Sequence, residues 1–270
     1  MRTLKGHTIL YDAVCPMCRL YTGAFIRSGM LDAAGRTPYQ ELPAGGCPGL
    51  DRARAVNEIA LVNRATGEVT YGVDSLFKIL EHRWPVLRPL FRFRVFAGLM
   101  RRAYALVSYN RRLIMPAAGE GAGTAPAFHR GWRAAWIGVA WLLTATLLRR
   151  YDTRLEGVIP AGGFWREYLV CGGQLLWQGA LVRRLAPRRC WDYLGTMMTV
   201  SLAGALALTI LAPLLDLFQL HNPWVAAAVF GSVAGLMLAE HLRRCRLLEL
   251  PWTVSAGWVL YRVLLLFFIL

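Results

Sequence analysis

Ile9-Leu-Tyr-Asp-Ala-Val-Cys-Pro-Met-Cys18 is the stretch on which the reading of this chain turns. A short β-prone run, Thr8 to Tyr11, ends in Asp12, and Cys15-Pro-Met-Cys18 opens what reads as a helix three residues later. Pro16 suits the first helical position, where its absent N–H is one the helix does not use. Good helix formers through Ile26 predict a helix from about Pro16 to Arg27, with Leu20, Ala24 and Phe25 on its apolar spacing. A dithiol at such a strand-to-helix junction has a clear chemical logic. Unpaired backbone N–H groups and the helix dipole stabilise a thiolate on Cys15, so it attacks disulfides at neutral pH. Cys18, one turn on, can close an intramolecular disulfide and release the substrate. Asp12 either takes the proton from Cys18 as a general base or caps the turn with its carboxylate.

Outward from that stretch, Gly29 and Gly35 close the first unit, and Thr37 to Leu42 is a second strand candidate before the loop Pro43 to Gly49. Glu58 to Asn63 and Glu68 to Gly72, joined by Arg-Ala-Thr-Gly67, read as a β-hairpin with glycine in its turn. Asp74 is placed to cap a helix over Ser75 to His82, which stops before Pro85 because the residue ahead of proline resists helix. Strand, helix, strand, hairpin and helix make a thioredoxin-like α/β order, followed by a helical tail from Val86 to Met115. The predicted organisation is an α/β domain over 1–115, a flexible Ala-Gly-Pro linker over 116–129 and an all-α membrane domain over 130–270.

The composition supports that division. Apolar residues are 56% of the chain and mean hydropathy is +0.38, with the excess lying after residue 130. The net charge of +15 comes from 31 basic against 16 acidic residues, and all the bases but Lys5 and Lys78 are arginines. Many of these arginines flank apolar runs, as they do in membrane proteins that fix their orientation by charge. Nucleic-acid binders spread such charge over polar surfaces, so nucleic acid is excluded as a partner. Five segments read as spans: Gly131 to Leu148, Tyr168 to Val182, Tyr193 to Leu215, Pro223 to Ala239 and Trp252 to Leu270. Trp132, Trp165, Trp191, Trp224 and Trp252 sit near their ends, as interfacial anchors do.

Arginine counting then sets the orientation. Arg111, Arg112, Arg130 and Arg133, the run Arg183 to Arg189, and Arg243 to Arg246 lie on one side, and Asp216 to Asn222 on the other has none. This places the N-terminal domain in the cytosol of a bacterium, against its inner membrane, with the lipid bilayer as a partner. The absence of a secretory leader in Met1 to Leu10 leads to the same expectation. One connection disagrees: Arg149, Arg150, Arg154 and Arg166 fall on the outer side, partly offset by Asp152, Glu156 and Glu167. A re-entrant hairpin of the first two segments would remove the conflict and leave three full spans.

Tyr11-Asp-Ala-Val-Cys-Pro-Met-Cys18 resembles the signature of the DCC family of thiol-disulfide oxidoreductases, named for its Asp, Cys and Cys. Ile59-Ala-Leu-Val-Asn-Arg-Ala-Thr-Gly67, Gly72-Val-Asp-Ser75 and Tyr104-Ala-Leu-Val-Ser-Tyr-Asn-Arg111 are similar to other stretches of that family. The resemblance covers about residues 7 to 113. It implies a thioredoxin-like fold, a thiol or disulfide substrate, and signature roles for Asp12, Cys15 and Cys18. Two positions depart from the pattern. Ala13 stands where the family commonly has glycine, and no proline precedes the third strand, where thioredoxin-like enzymes set a cis-proline beside the dithiol.

The remaining candidates are weaker. Cys15 and Cys18 could be half of a zinc site, but nothing pairs Cys47 or His7 with them by spacing. Cys47 could act as a third thiol, and Cys190 and Cys245, flanked by arginines, could relay electrons. Gln174 and Gln178 share a helix face, and Arg262 falls mid-span. Such groups at membrane depth could hold a quinone headgroup, or simply join helices. The reading that results is a membrane-anchored thiol-disulfide oxidoreductase. Its alternative is a non-enzymatic membrane protein, a transporter or scaffold, with a redox-sensing or metal-binding thioredoxin-like module.

Overall fold

In a computed structural model, residues 2–43, 47, 49–116, 126–160 and 162–269 are described. Most of the expected linker, 117–125, lies outside them. The chain divides into two compact units, Met1–Arg133 and Ala134–Leu270.

The first unit is built on a four-stranded sheet. β1 (His7–Tyr11) leads into α1 (Pro16–Arg27), and β2 (Arg36–Pro38) follows. Next come α2 (Arg52–Asn57), the hairpin of β3 (Ala60–Asn63) and β4 (Val69–Tyr71), and α3 (Gly72–Arg83). The sheet order is β2-β1-β3-β4, with β1 parallel to β2 and antiparallel to β3. This is the thioredoxin-like arrangement that the element order predicts. Pleating separates the two faces of the sheet. Ile9 and Leu61 face a core shared with Leu4, Leu31, Ile59 and Ile79, under Tyr21, Phe25 and Tyr104. Leu10, Ala60 and Val62 pack on the other face with Tyr39, Leu42, Leu50 and Cys47.

Several boundaries differ from expectation for local reasons. β2 is three residues long, because Pro38 offers no N–H to a ladder, and a 3-10 turn over Tyr39–Glu41 follows. α2, to which the sequence pattern assigns no element, is six residues long and capped by Asp51, whose Oδ1 accepts the Arg54 N–H at 3.0 Å. α3 begins three residues ahead of Ser75, and Asp74 does not cap it but pairs in its first turn with Arg101 at 3.0 Å. Gly72 enters α3 with φ +61, and a Cβ there would meet Glu58 Oε2 at 2.8 Å. On α1 the inward residues are Cys18, Thr22 and Gly23, whereas Leu20 is exposed. The helical tail is broken at Phe93 into α4 (Arg88–Arg92) and α5 (Arg94–Ile114). Phe91 stacks on Phe77 at 4.3 Å between centroids, tying the tail to α3.

The second unit is helical: α6 (Arg130–Asp152, which starts in the first unit), α7 (Arg166–Leu185), α8 (Cys190–Leu217), α9 (Pro223–Leu247) and α10 (Trp252–Ile269). All five expected segments are helices, but among the described residues three stretches are long and apolar enough to cross a membrane: Arg130–Asp152, Pro187–Leu217 and Pro223–Leu247. These are not the three that a re-entrant first hairpin would leave. α7 has the length but carries Arg166, Glu167, Gln174, Gln178, Arg183 and Arg184, and the apolar run of α10, Trp252–Phe267, is shorter. α8 is the central helix, burying Tyr193, Met197, Met198, Ala205 and Leu208, and it packs on α7 and α9. Two arginines of the discordant connection are neutralised: Arg154 makes paired bonds to Asp216 at 2.8 and 2.7 Å, and Arg166 pairs with Asp152 and Glu167.

Candidate active site around a buried dithiol

Both cysteines are reduced and buried, Cys15 at 1% exposure and Cys18 at 5%. Cys15 is the N-cap of α1, and its sulfur accepts the Cys18 N–H at 3.4 Å. Backbone donors that a helix terminus leaves unpaired therefore face the first thiol. The hydrogen bond from the Cys18 thiol is the largest influence on Cys15. With the Cys18 N–H and the Arg111 cation, it outweighs burial and the Asp12 charge and lowers the Cys15 thiol from 9.0 to about 6. Giving that bond, together with burial and the neighbouring thiolate, pushes Cys18 far above the ordinary thiol range. One thiol is thus poised as an anion and the other holds its proton.

Asp12 sits at the end of β1, 3% exposed, and both of its oxygens are engaged. Oδ1 accepts the Val14 N–H at 3.1 Å and the Gln40 Nε2 at 2.8 Å. Gln40 accepts the Ala13 N–H in return at 3.2 Å, so the side chain brackets the turn from both sides. Oδ2 accepts from Arg111 at 3.1 Å, and Arg112 lies at 3.7 Å. Ala13 does not adopt positive φ, so the turn accommodates its Cβ where the family pattern has glycine.

Arg111 is a residue of this candidate site that sequence reasoning does not find. In the sequence it reads as one of the charges that fix orientation, and the family-like stretch Tyr104 to Arg111 ends on it. Buried near the C-terminus of α5, its guanidinium also donates to Val56 O at 2.8 Å and Asn57 O at 3.2 Å. Those carbonyls belong to the segment ahead of β3, where no proline stands. Burial opposes the Arg111 charge, but the two sulfurs and Asp12 more than offset it and raise its pKa. Ser108, one turn earlier on α5, donates to the same Asn57 carbonyl, and Tyr104 Oη accepts the Ile59 N–H at 3.0 Å. α5 thereby clamps the β3 entrance and the dithiol turn together. Tyr39 lies beside this charge cluster, its hydroxyl pushed up to about 12 by burial and by Asp12.

The other sequence candidates lie elsewhere. Cys47 packs with the Leu10 cluster on the other face of the sheet, and its neighbours 44–46 and 48 lie outside the described residues. His7 Nδ1 faces the Lys5 carbonyl at 3.0 Å. Among the described residues no three His, Cys, Asp or Glu side chains gather as a metal site. In the second unit the Cys190 thiol faces the Gly179 carbonyl at 3.8 Å. Cys245 is buried against His241 at 3.7 Å. Gln174 and Gln178 part company: Gln178 donates to Val254 O at 3.4 Å on α10, whereas Gln174 lines a cavity.

Compared with known proteins, residues 9–116 match the sequence model of the DCC1-like thiol-disulfide oxidoreductase family. No curated protein and no solved structure matches the chain.

Proposed function

We propose, from a chain whose residues 9–116 form a DCC1-like thiol-disulfide oxidoreductase domain, that the protein is membrane-anchored and exchanges disulfides through Cys15 and Cys18. The observation that carries this reading is the asymmetry of the pair. Cys15 is held as a thiolate at a helix N-terminus and Cys18 is held protonated beside it.

In the reducing direction the Cys15 thiolate attacks one sulfur of a substrate disulfide, R–S–S–R′. An S–S bond forms between Cys15 and R–S while R′–S⁻ leaves. The leaving thiolate takes the Cys18 proton. Cys18, now a thiolate, attacks the Cys15 sulfur, closes the intramolecular disulfide and expels R–S⁻, which takes a proton from solvent. Two electrons pass from the dithiol to the substrate, and an external thiol restores the reduced pair. Asp12 acts here as the anchor of the turn, because its two oxygens already accept from Val14, Gln40 and Arg111. Arg111 holds that anchor and lends its charge to the Cys15 thiolate.

The anchor in this proposal is the apolar part of the second unit. The first unit lies on the cytosolic side of a bacterial inner membrane, with Arg130, Arg183, Arg184 and Arg189 near that face and the outer-side Arg154 and Arg166 neutralised by carboxylates. Exposed Phe93, Val95 and Leu99 among the arginines of α4 and α5 suit contact with anionic headgroups. Thiol labelling of a cysteine placed at Lys5, in intact against permeabilised cells, tests this side; labelling from outside overturns it.

The dithiol is tested on the full chain in detergent. Alkylation followed by mass spectrometry should find a reversible Cys15–Cys18 disulfide. Cys18→Ser should trap a substrate on Cys15, and Cys15→Ser should trap none. A chain that neither cycles nor traps overturns the mechanism. The burial of both thiols also favours a second reading, a redox-sensing module that changes state without turnover. Multiple turnovers of a small disulfide with a thiol reductant exclude it, and a single oxidation without turnover selects it.

A further inference from the structure

The second unit contains a cavity bordered by all five helices. Much of its wall is apolar, with Met198, Phe230 and Met237 among the side chains. Thr144, Gln174, Ser201 and Arg262 also line it. Gln174 is 6% exposed and Thr144 1%, yet Gln174 Nε2 and Thr144 Oγ1 have no hydrogen-bond partner among the described residues. Arg262 Nε is likewise buried and unpartnered. Its guanidinium carbon lies 4.0 Å from the Trp258 ring centroid, and no carboxylate among the described residues pairs with it. Amide, hydroxyl and guanidinium donors left open in an apolar surrounding are costly, and at membrane depth such groups mark functional cavities.

We propose that this cavity binds a lipophilic molecule whose head presents acceptor oxygens: a quinone ring carbonyl or a fatty carboxylate. The head lies at Gln174, Thr144 and Arg262, and the apolar body runs along the α8 and α9 side chains. The shared chemistry is acceptor oxygen on an apolar body, because the cavity supplies donors and a cation on one part of its wall and hydrocarbon on the rest. The proposal stands apart from the dithiol chemistry and survives its failure.

Cys171 also lines the cavity and gives a direct readout. The full-length protein in detergent is alkylated with N-ethylmaleimide, and Cys171 modification is followed by mass spectrometry with decylubiquinone, palmitate or dodecylbenzene present. Decylubiquinone, palmitate or both should slow modification saturably and raise the melting temperature, whereas dodecylbenzene, which has no acceptor oxygen, should do neither. Protection by decylubiquinone alone selects the ring carbonyl, by palmitate alone the carboxylate, and by both the shared chemistry. Gln174→Leu and Arg262→Gln should each raise the half-protecting concentration about tenfold, the loss of one hydrogen bond to a charged or buried polar partner. Thr144→Val keeps the side-chain outline and should weaken protection in the same direction, so the test survives if Arg262→Gln does not fold. Protection by neither oxygen-headed probe, equal protection by dodecylbenzene, or folded variants that bind as tightly as the parent overturns the proposal.

Discussion

Replacing Arg111 by methionine keeps most of the aliphatic stem and removes the guanidinium that joins the dithiol turn to the β3 entrance. Three hydrogen bonds go with it: to Asp12 Oδ2 at 3.1 Å, Val56 O at 2.8 Å and Asn57 O at 3.2 Å. The Asp12 side chain is 2% exposed, so its charge is left in the interior with Arg112, at 3.7 Å, as its remaining cation. Breaking a buried pair from one side costs about 3–5 kcal/mol, against a total of about 5–15 kcal/mol for an ordinary domain. Asp12 keeps its bonds from Val14 and Gln40 and the Arg112 charge at 3.7 Å, which puts the expected loss near the lower end, about 3 kcal/mol. The assay is urea-dependent alkylation of Cys15 and Cys18 in the reduced full chain, since both thiols are buried until the domain opens. With a slope of about 2 kcal/mol per molar urea, the midpoint for exposure should fall by about 1.5 M. Adding Asp12→Asn to Arg111→Met removes the buried charge that has lost its nearer cation and should recover part of that loss, making the pair non-additive. A midpoint unchanged in Arg111→Met, or a double variant equal to the sum of the singles, would refute the anchoring role.

Three further outcomes are expected. Thiolate absorbance of the reduced protein, after subtraction of Cys15→Ser, should rise with a midpoint near pH 6; a single step near pH 9 would remove the poised nucleophile. Because the folded Cys15 thiol ionises below its unfolded value of 9.0, its contribution to stability is absent below about pH 6 and grows as pH rises to 9. The urea midpoint of the reduced domain should therefore climb between pH 6 and 8.5, while the Cys15–Cys18 disulfide form lacks that component. Gly72→Ala forces a Cβ into φ +61 and against Glu58 Oε2, so the first unit should lose about 1–2 kcal/mol or more and open at lower urea.

The parts of this fold that were legible in the sequence are those set by neighbours a few residues apart. The β1–α1 junction carries its own punctuation in Asp12, Pro16 and the dithiol, and β3 and β4 announce themselves through the turn at Gly67. Pro38 shortened β2 because a strand reading of its flanks ignored the missing donor. α2 was lost because six residues give too little periodicity to register, although Asp51 ahead of it was a usable cap signal. The clamp was not legible at all. Arg111 meets Asp12 across a separation of 99 residues and Asn57 across 54, and it sits in an arginine-rich tail where each cation looks like a surface charge. In the second unit, apolar length identified five helices, but it could not show that Gln178 is used between helices while Gln174 faces a void.

Arg111 and Arg262 show why burial of a cation alone does not reveal its task. Arg111 gives hydrogen bonds to a carboxylate and two carbonyls, so its desolvation is offset inside the fold and the guanidinium fixes a geometry. A ligand would have to break those bonds to reach it, and that makes it a positioning residue for the turn beside Cys15. Arg262 has an aromatic face beside it and no described hydrogen bond or ion pair, and the nearby cavity contains two more open donors. The same side chain with an open donor, at the wall of a cavity, has its offset still to come from outside the chain. The distinction can be tested with one pair of substitutions. Arg111→Met should destabilise the first unit whether or not a probe is present. Arg262→Gln should change the stability of the second unit mainly in the difference between probe-bound and probe-free protein. If Arg262→Gln destabilises the protein equally with and without decylubiquinone or palmitate, Arg262 is an internal packing cation like Arg111, and the cavity has no ligand head to hold.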